Sequence, residues 1–280
     1  MYADDLQLYL PSSPEGLGER VNLINDDLKL LVSWAQDNSL LVNPNKTQAV
    51  LFSRMDIPTF NLQLTINDIL IEWKDEVKNL GLYMDKALTF NGHVNKICQR
   101  AFFRLTLIYE FKNYLPVHTK KVLVDSLVLS IPAYLDYVYR PYLTSFNGYR
   151  IQKIQNSCVR YVRGLRYRDH VSQHIVELFQ FKMAQRSFIH LACLIHNVIV
   201  TITPIYLFEM IAFRGNLHQV NIRNKTSIDI PKHRTEFYKS SFPYLAAYVY
   251  NLIPDNIRQK KIGSFKLDVK QFVLQNQLSF

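Results

Sequence analysis

Apolar spacing divides the chain into a front that mixes strand and helix periods and a long remainder that is almost wholly helical. Leu6 to Leu10 alternates apolar and polar positions, as a half-buried strand would. Pro11-Ser12-Ser13-Pro14 reads as a turn, and Ser13-Pro14-Glu15 supplies a cap, a proline and an acid for a helix start. Leu17, Val21, Ile24, Leu28, Leu31 and Ala35 then recur at spacings of three and four, so one face of that helix is buried, and Asn43-Pro44-Asn45 closes the segment. Thr47 to Ser53 reads as a strand. Leu62, Leu64 and Ile66, the turn-like Asn67-Asp68, and Ile69, Ile71 and Trp73 predict a hairpin. Val77 to Asp85 predicts one further short extended segment around Gly81.

After His93 the period becomes helical. Val94, Ile97, Ala101, Leu105 and Ile108 mark a first helix with Lys96, Arg100 and Arg104 as a basic stripe beside it. Thr119 to Ser130, before Pro132, predicts a second. Gly148 to Gly164 predicts a third, which carries Arg150, Lys153, Arg160 and Arg163 with Tyr161 and Tyr167 interleaved or adjacent. Residues 171–213 read as largely helical, 214–234 as a polar, basic loop with an extended piece near Ile228–Pro231. Two more helices follow, one through Phe242, Leu245, Val249 and Leu252, the other over Phe265 to Leu278. Phe188 to Phe208 is apolar enough to suggest a membrane span, but His190, His196, Asn197 and Pro204 favour a core helix.

Composition adds a functional asymmetry. The 280 residues carry 33 Lys+Arg and 23 Asp+Glu, a formal +10, with 48% hydrophobic residues and few Gly or Pro, which excludes disorder over most of the chain. Residues 1–92 hold 7 Lys+Arg and 13 Asp+Glu, a net of −6, and residues 93–280 hold 26 and 10, a net of +16. An acidic front suits cations and a basic remainder suits a polyanion, or else a solvated basic surface. Cys98, Cys158 and Cys193 form no motif pair, which argues against a disulfide framework and a cysteine zinc site. The acids near the N-terminus do not fit a signal peptide, so an intracellular location, nuclear or cytoplasmic rather than secreted, and no membrane partner are expected. His170 and His174 sit four apart without a visible third ligand.

Tyr2-Ala3-Asp4-Asp5 carries the sharpest chemistry. Neighbouring strand residues point to opposite faces, so two adjacent carboxylates share an ion only at a tight turn such as a hairpin tip. Hard cations such as Mg²⁺ take carboxylate oxygens, and phosphoryl transfer commonly uses two of them. Alone, Asp-Asp is more often a solvated turn. In order along the chain, YADDLQLYL, WAQDNSLLVNPNKTQAVLFS, VKNLGLYMD, LTFNGHVNKI, LVLSIPAYLDY, IQNSCVRYVRGL, IPKHRTEFY and LIPDNIR together resemble the reverse transcriptases of non-LTR retrotransposons, most closely the jockey-like group.

The resemblance implies an α+β fold: an incomplete polymerase palm, with a small antiparallel sheet plus helix, over 1–92, a basic helical thumb-like region over 93–170, and a mainly helical C-terminal region over 171–280. It implies that Tyr2, Asp4 and Asp5 form the catalytic hairpin, with the two acids as ligands for Mg²⁺. Lys46 would stabilise departing pyrophosphate, a solvated lysine being the competing reading, and Gly81, after Leu80, would approach the primer end, a plain bulge being the alternative. Lys96, Arg100, Arg104, Lys153, Arg160 and Arg163 would line the phosphates of an RNA template and DNA primer, or of an RNA–DNA hybrid. Deoxynucleoside triphosphates would be substrates of the intact enzyme.

The family also places a further catalytic Asp and nucleotide-binding fingers ahead of the tyrosine, and this sequence starts one residue before it. Asp26, Asp27, Asp56 and Asp85 match no such role. The expectation is a fragment of an RNA-directed DNA polymerase that does not polymerise alone. The alternatives are a non-catalytic nucleic-acid-binding protein derived from a retroelement and a decayed reading frame.

Overall fold

A computed structural model describes residues 6–59, 61–217 and 226–279. The chain divides into two compact units, Met1–Gly92 and His93–Phe280. It is α+β and rich in helix, with two small antiparallel sheets, both in the first unit.

The first unit is built on α1, Leu17–Asp37, whose buried positions Val21, Leu28 and Ala35 and half-buried Leu17, Ile24 and Leu31 are the six that the spacing selects. The helix starts later than Ser13-Pro14-Glu15 suggests: Ser13 Oγ accepts from the Gly16 N–H at 3.3 Å in a turn, and the helix opens at Leu17. The strands β1, Leu64–Ile66, and β2, Ile69–Ile71, form the expected hairpin, with Ile66 opposite Ile69. Asn67 and Asp68 both adopt positive φ, 50° and 61°, the turn type that matches the twist of two paired strands. Asn25 of α1 donates to the Gln63 carbonyl (2.9 Å) and accepts from the Thr65 N–H (3.0 Å), so a helix side chain serves the free edge of β1.

Three sequence expectations are corrected here. Val77 to Asp85 is a hairpin rather than one strand: β3, Glu76–Asn79, pairs antiparallel with β4, Leu82–Asp85, around Leu80-Gly81. Thr47 to Ser53 makes a single bridge, Ala49 beside Trp73, and one further bond from the Ser53 N–H to the Lys86 carbonyl. Leu6 to Leu10 forms no strand and all five residues are exposed, because alternation becomes a strand only against a partner; Gln7 instead exchanges amide bonds with Asn79.

The second unit is helical among the described residues. In order it contains α2, Asn91–Tyr109, which starts at the end of the first unit; α3, Val117–Leu123; α4, Ser130–Ala133; α5, Asp136–Tyr139; α6, Ser145–Arg163; α7, Ser172–Phe179; and α8, Met183–Thr201. Then come α9, Ile205–Phe208; α10, Arg214–Leu217; α11, Phe242–Leu252; α12, Asp255–Arg258; and α13, Ile262–Asn276. A π-helical stretch, Val124–Leu129, joins α3 to α4.

The core centres on α8, where Phe188, Leu191, Ala192, Ile195 and Val198 pack with Leu245, Ala246 and Val249 of α11 and Phe265, Val269 and Val273 of α13. The stretches Val117–Tyr142 and Ser172–Thr201 are long and apolar enough to cross a membrane, and the second contains this core helix. Tyr161 of α6 is fully buried and donates to the Ile108 carbonyl of α2 at 3.0 Å, which makes it part of the packing between these helices. Gly164 ends α6 at φ 71°, the left-handed cap that glycine adopts without steric cost. Asn251 repeats the device of Asn25, bonding both the N–H and the carbonyl of Ile228, whose bridge to Phe213 realises the expected extended piece.

Candidate nucleic-acid interface

The positions that sequence assigns to chemistry separate into three environments. Tyr2, Asp4 and Asp5 lie outside the described residues. Lys46 closes a short 3₁₀ turn, Pro44–Lys46, that Asn43 caps by accepting from the Asn45 N–H at 3.0 Å, and its side chain is exposed. Gly81, φ 88°, follows Leu80, φ 45°, so the pair is a two-residue hairpin turn and not a bulge.

Several other acids of the first unit are engaged locally. Asp26 pairs with Lys29, and Asp56 and Asp75 both reach Lys86. Asp85 accepts from the N–H groups of Ala87, Thr89 and Phe90 (3.2, 2.9 and 2.6 Å) and from the Thr89 hydroxyl (3.1 Å), which shapes the turn into α2. Among the described residues no group of three or more His, Cys, Asp or Glu side chains is placed to hold a metal ion.

The basic positions of the second unit fall into structural and unengaged sets. Arg104 donates to the Leu127 carbonyl at 3.1 Å and ties α2 to the π-helical stretch. Arg160 donates to the Asp169 carbonyl at 3.4 Å and lies over the Tyr167 ring. Arg163 bonds Glu177 at 2.8 Å, and His174 reaches the same carboxylate at 3.3 Å, while His170 is exposed before α7. The His174 bond and then the Arg163 charge pull the Glu177 carboxyl below its ordinary range. Lys96 is half-buried on α2. Arg100 is exposed, and Lys153 is exposed over the Tyr149 ring at 4.8 Å. Arg150, which the stripe also contains, bonds Asn95 at 2.6 Å and holds α6 to α2. Of the six arginines and lysines assigned to phosphate, Arg100 and Lys153 present their charge most freely to solvent.

Two polar clusters escape any reading of the sequence. Asp136, fully buried at the start of α5, lies 2.9 Å from the Ser187 hydroxyl and 2.9 Å from Nδ1 of half-exposed His190, both on α8. These partners are 51 and 54 residues away, so no local spacing announces them. The serine bonds the aspartate and not the histidine, so the trio lacks the base-to-nucleophile contact of acyl-transfer sites and instead fixes α5 to α8. His196 lies flat on Phe265, ring centroids 3.8 Å apart, with Nε2 on the Lys260 carbonyl, and burial pushes its pKa below the usual 6.5. The three cysteines are free, and burial pushes each thiol's pKa up, away from thiolate chemistry.

Similarity to known proteins adds to this geometry. The chain is 26% identical over 186 residues, 63% of its length, to a Drosophila melanogaster protein named "Probable RNA-directed DNA polymerase from transposon BS". The chain is related to a transposon reverse transcriptase. It spans about a fifth of that relative's length, 20%. No protein-family model matches the chain, and no solved structure matches it. The match agrees with the resemblance to retroelement polymerases and supports a retroelement-derived protein.

Proposed function

We propose that the chain is a piece of a jockey-like retrotransposon reverse transcriptase in which the first unit contributes the palm and the second holds the template–primer duplex. In the intact enzyme Asp4 and Asp5 bind Mg²⁺ and Lys46 stabilises the leaving pyrophosphate of a deoxynucleoside triphosphate. The 280 residues alone do not extend a primer. The match to a transposon RNA-directed DNA polymerase over 63% of the chain carries this reading. It is supported by the +16 of residues 93–280, which gives a sequence-independent attraction for a phosphate backbone.

Two measurements test it. Primer extension on an RNA template with Mg²⁺ or Mn²⁺ is expected to give no product, and product abolished by Asp4→Ala would overturn that part. A titration with RNA–DNA hybrid is expected to weaken by about 40-fold between 50 and 200 mM salt if three phosphates are neutralised. The double variant Arg100→Glu, Lys153→Glu is expected to flatten that dependence. Binding that is absent at low salt refutes the duplex-holding role.

A further inference from the structure

A cavity of about 630 Å³ with a basic wall lies at the start of α6. Its wall includes Arg140, Ser145, Tyr149, Lys182 and Lys239 together with Glu236. Glu236 is the one carboxylate among the described wall residues, and it is bound to Lys239 Nζ at 2.8 Å. Two lysines and an arginine against one glutamate leave this wall at a formal +2.

Arg140 is only 8% exposed, and its Nη1 is shut off from solvent without a hydrogen-bond partner. The neighbouring carboxylate, Asp136, is already committed to Ser187 and His190. Burial pulls the guanidinium's pKa down and the charge of nearby Asp136 offsets part of that pull, so the group stays charged while its Nη1 goes without a hydrogen bond. Two long helices also begin here. Thr144 caps α6 by accepting from the Asn147 N–H at 3.3 Å, leaving the N–H groups of Ser145 and Phe146 without helical acceptors. Lys182 precedes α8 and donates its N–H to Gln185 Oε1 at 2.9 Å, the Met183 N–H donates to Gln152 Oε1 at 3.0 Å, and Ala184 of the first turn lines the same wall. Both helices have 19 residues, so two positive dipole ends converge on one cavity. Tyr149 offers an exposed ring on the wall, one turn along α6, and the volume suits a nucleotide-sized group.

We propose that this cavity is a phosphate site for a nucleic-acid strand, with Lys182, Lys239 and the first turns of α6 and α8 holding one backbone phosphate, Arg140 adding positive charge from the wall, and Tyr149 stacking on the adjoining base. This deepens, and rests on, the reading of the second unit as a nucleic-acid holder. Lys182 and Lys239 supply attraction at the rim, and Arg140 adds positive potential from the wall behind them. Stacking on Tyr149 separates a strand from free phosphate.

The test uses the full chain. Thermal unfolding is followed with inorganic phosphate or chloride at equal ionic strength, and a labelled oligonucleotide is titrated at fixed salt. Phosphate is expected to raise the Tm where chloride does not. Lys182→Ala with Lys239→Ala is expected to weaken oligonucleotide binding at least tenfold, and Tyr149→Ala to weaken it several-fold while leaving the phosphate shift in place. Arg140→Met is expected to diminish the phosphate shift, a loss that a purely structural arginine would not produce. Oligonucleotide binding unchanged in the lysine double variant overturns the site and leaves the duplex-holding role intact. A phosphate shift without oligonucleotide binding assigns the cavity to free phosphate, overturning the strand proposal together with that role.

Discussion

The two units solve the problem of satisfying backbone and burying side chains in opposite ways. The first has two separate two-stranded hairpins, and its core is a small group around Val21, Leu28, Leu64, Ile66 and Ile71. Isolated hairpins are marginal in water, so the unit depends on α1 packing against β1 and on side chains that stand in for strands. Asn25 on the edge of β1 and Asp85 on the turn into α2 are such substitutes. The second unit meets its backbone bonds inside helices and spends its side chains on a core in which α8 is enclosed by α11 and α13. The difference also sorts the charge. Local turns in the first unit bind Asp85 to nearby N–H groups and Asp56 and Asp75 to Lys86, whereas the helical unit carries the excess of lysine and arginine and ties part of it into helix contacts through Arg104, Arg150 and Arg163.

The largest effect expected from this contrast is in the helical unit. Phe188 is 1% exposed at the centre of its core, and Phe188→Ala is expected to cost about 3–5 kcal/mol, through lost burial and the cavity left behind. Urea unfolding followed by hydrogen exchange at the α8 amides checks it. A loss below about 1 kcal/mol would mean that this core is loosely packed, and the contrast between the units would fail.

How far each unit was legible follows from the same contrast. Helices announce themselves because burial on one face repeats every three to four residues within the element. The faces of α1 and α2 were readable from Val21, Leu28 and Ala35 and from Val94, Ile97, Ala101 and Leu105. Asn67-Asp68 marked one hairpin because both residues tolerate positive φ. The second hairpin was hidden because its turn starts with leucine, which carries no turn signal. Leu6 to Leu10 alternates without pairing, since a strand depends on a partner that its own pattern cannot specify. Among the candidate site residues, sequence gave the sign and stripe of the charges but not their partners. Arg104, Arg160 and Arg163 are drawn into contacts with Leu127, Asp169 and Glu177, fixed by tertiary folding.

A middle-sized effect belongs to the first unit. Asp85 accepts four hydrogen bonds from 87–90, and Asp85→Ala leaves three N–H groups to find water in a half-buried turn. The expected cost is about 2 kcal/mol, with Asp85→Asn losing less because one acceptor oxygen remains. Chemical denaturation of the two variants measures both. Equal losses would show that charge, rather than the bonding pattern, holds the turn.

The smallest effect sharpens the comparison most, because it asks whether the first unit tolerates strain for a purpose. Leu80 holds φ at 45°, a region that costs a leucine about 1–2 kcal/mol and suits asparagine far better. The turn geometry itself favours Asn-Gly. Leu80→Asn is therefore expected to stabilise the β3–β4 hairpin by about 1 kcal/mol, read as a rise in the denaturation midpoint. If Leu80-Gly81 approaches a primer strand, the same variant also lowers affinity for RNA–DNA hybrid at fixed salt, since strain retained at a binding turn is relieved at the expense of its fit. Stability gained with affinity unchanged would make the leucine a purely local cost. It would also take Gly81 out of the interface and leave nucleic-acid binding to the helical unit alone.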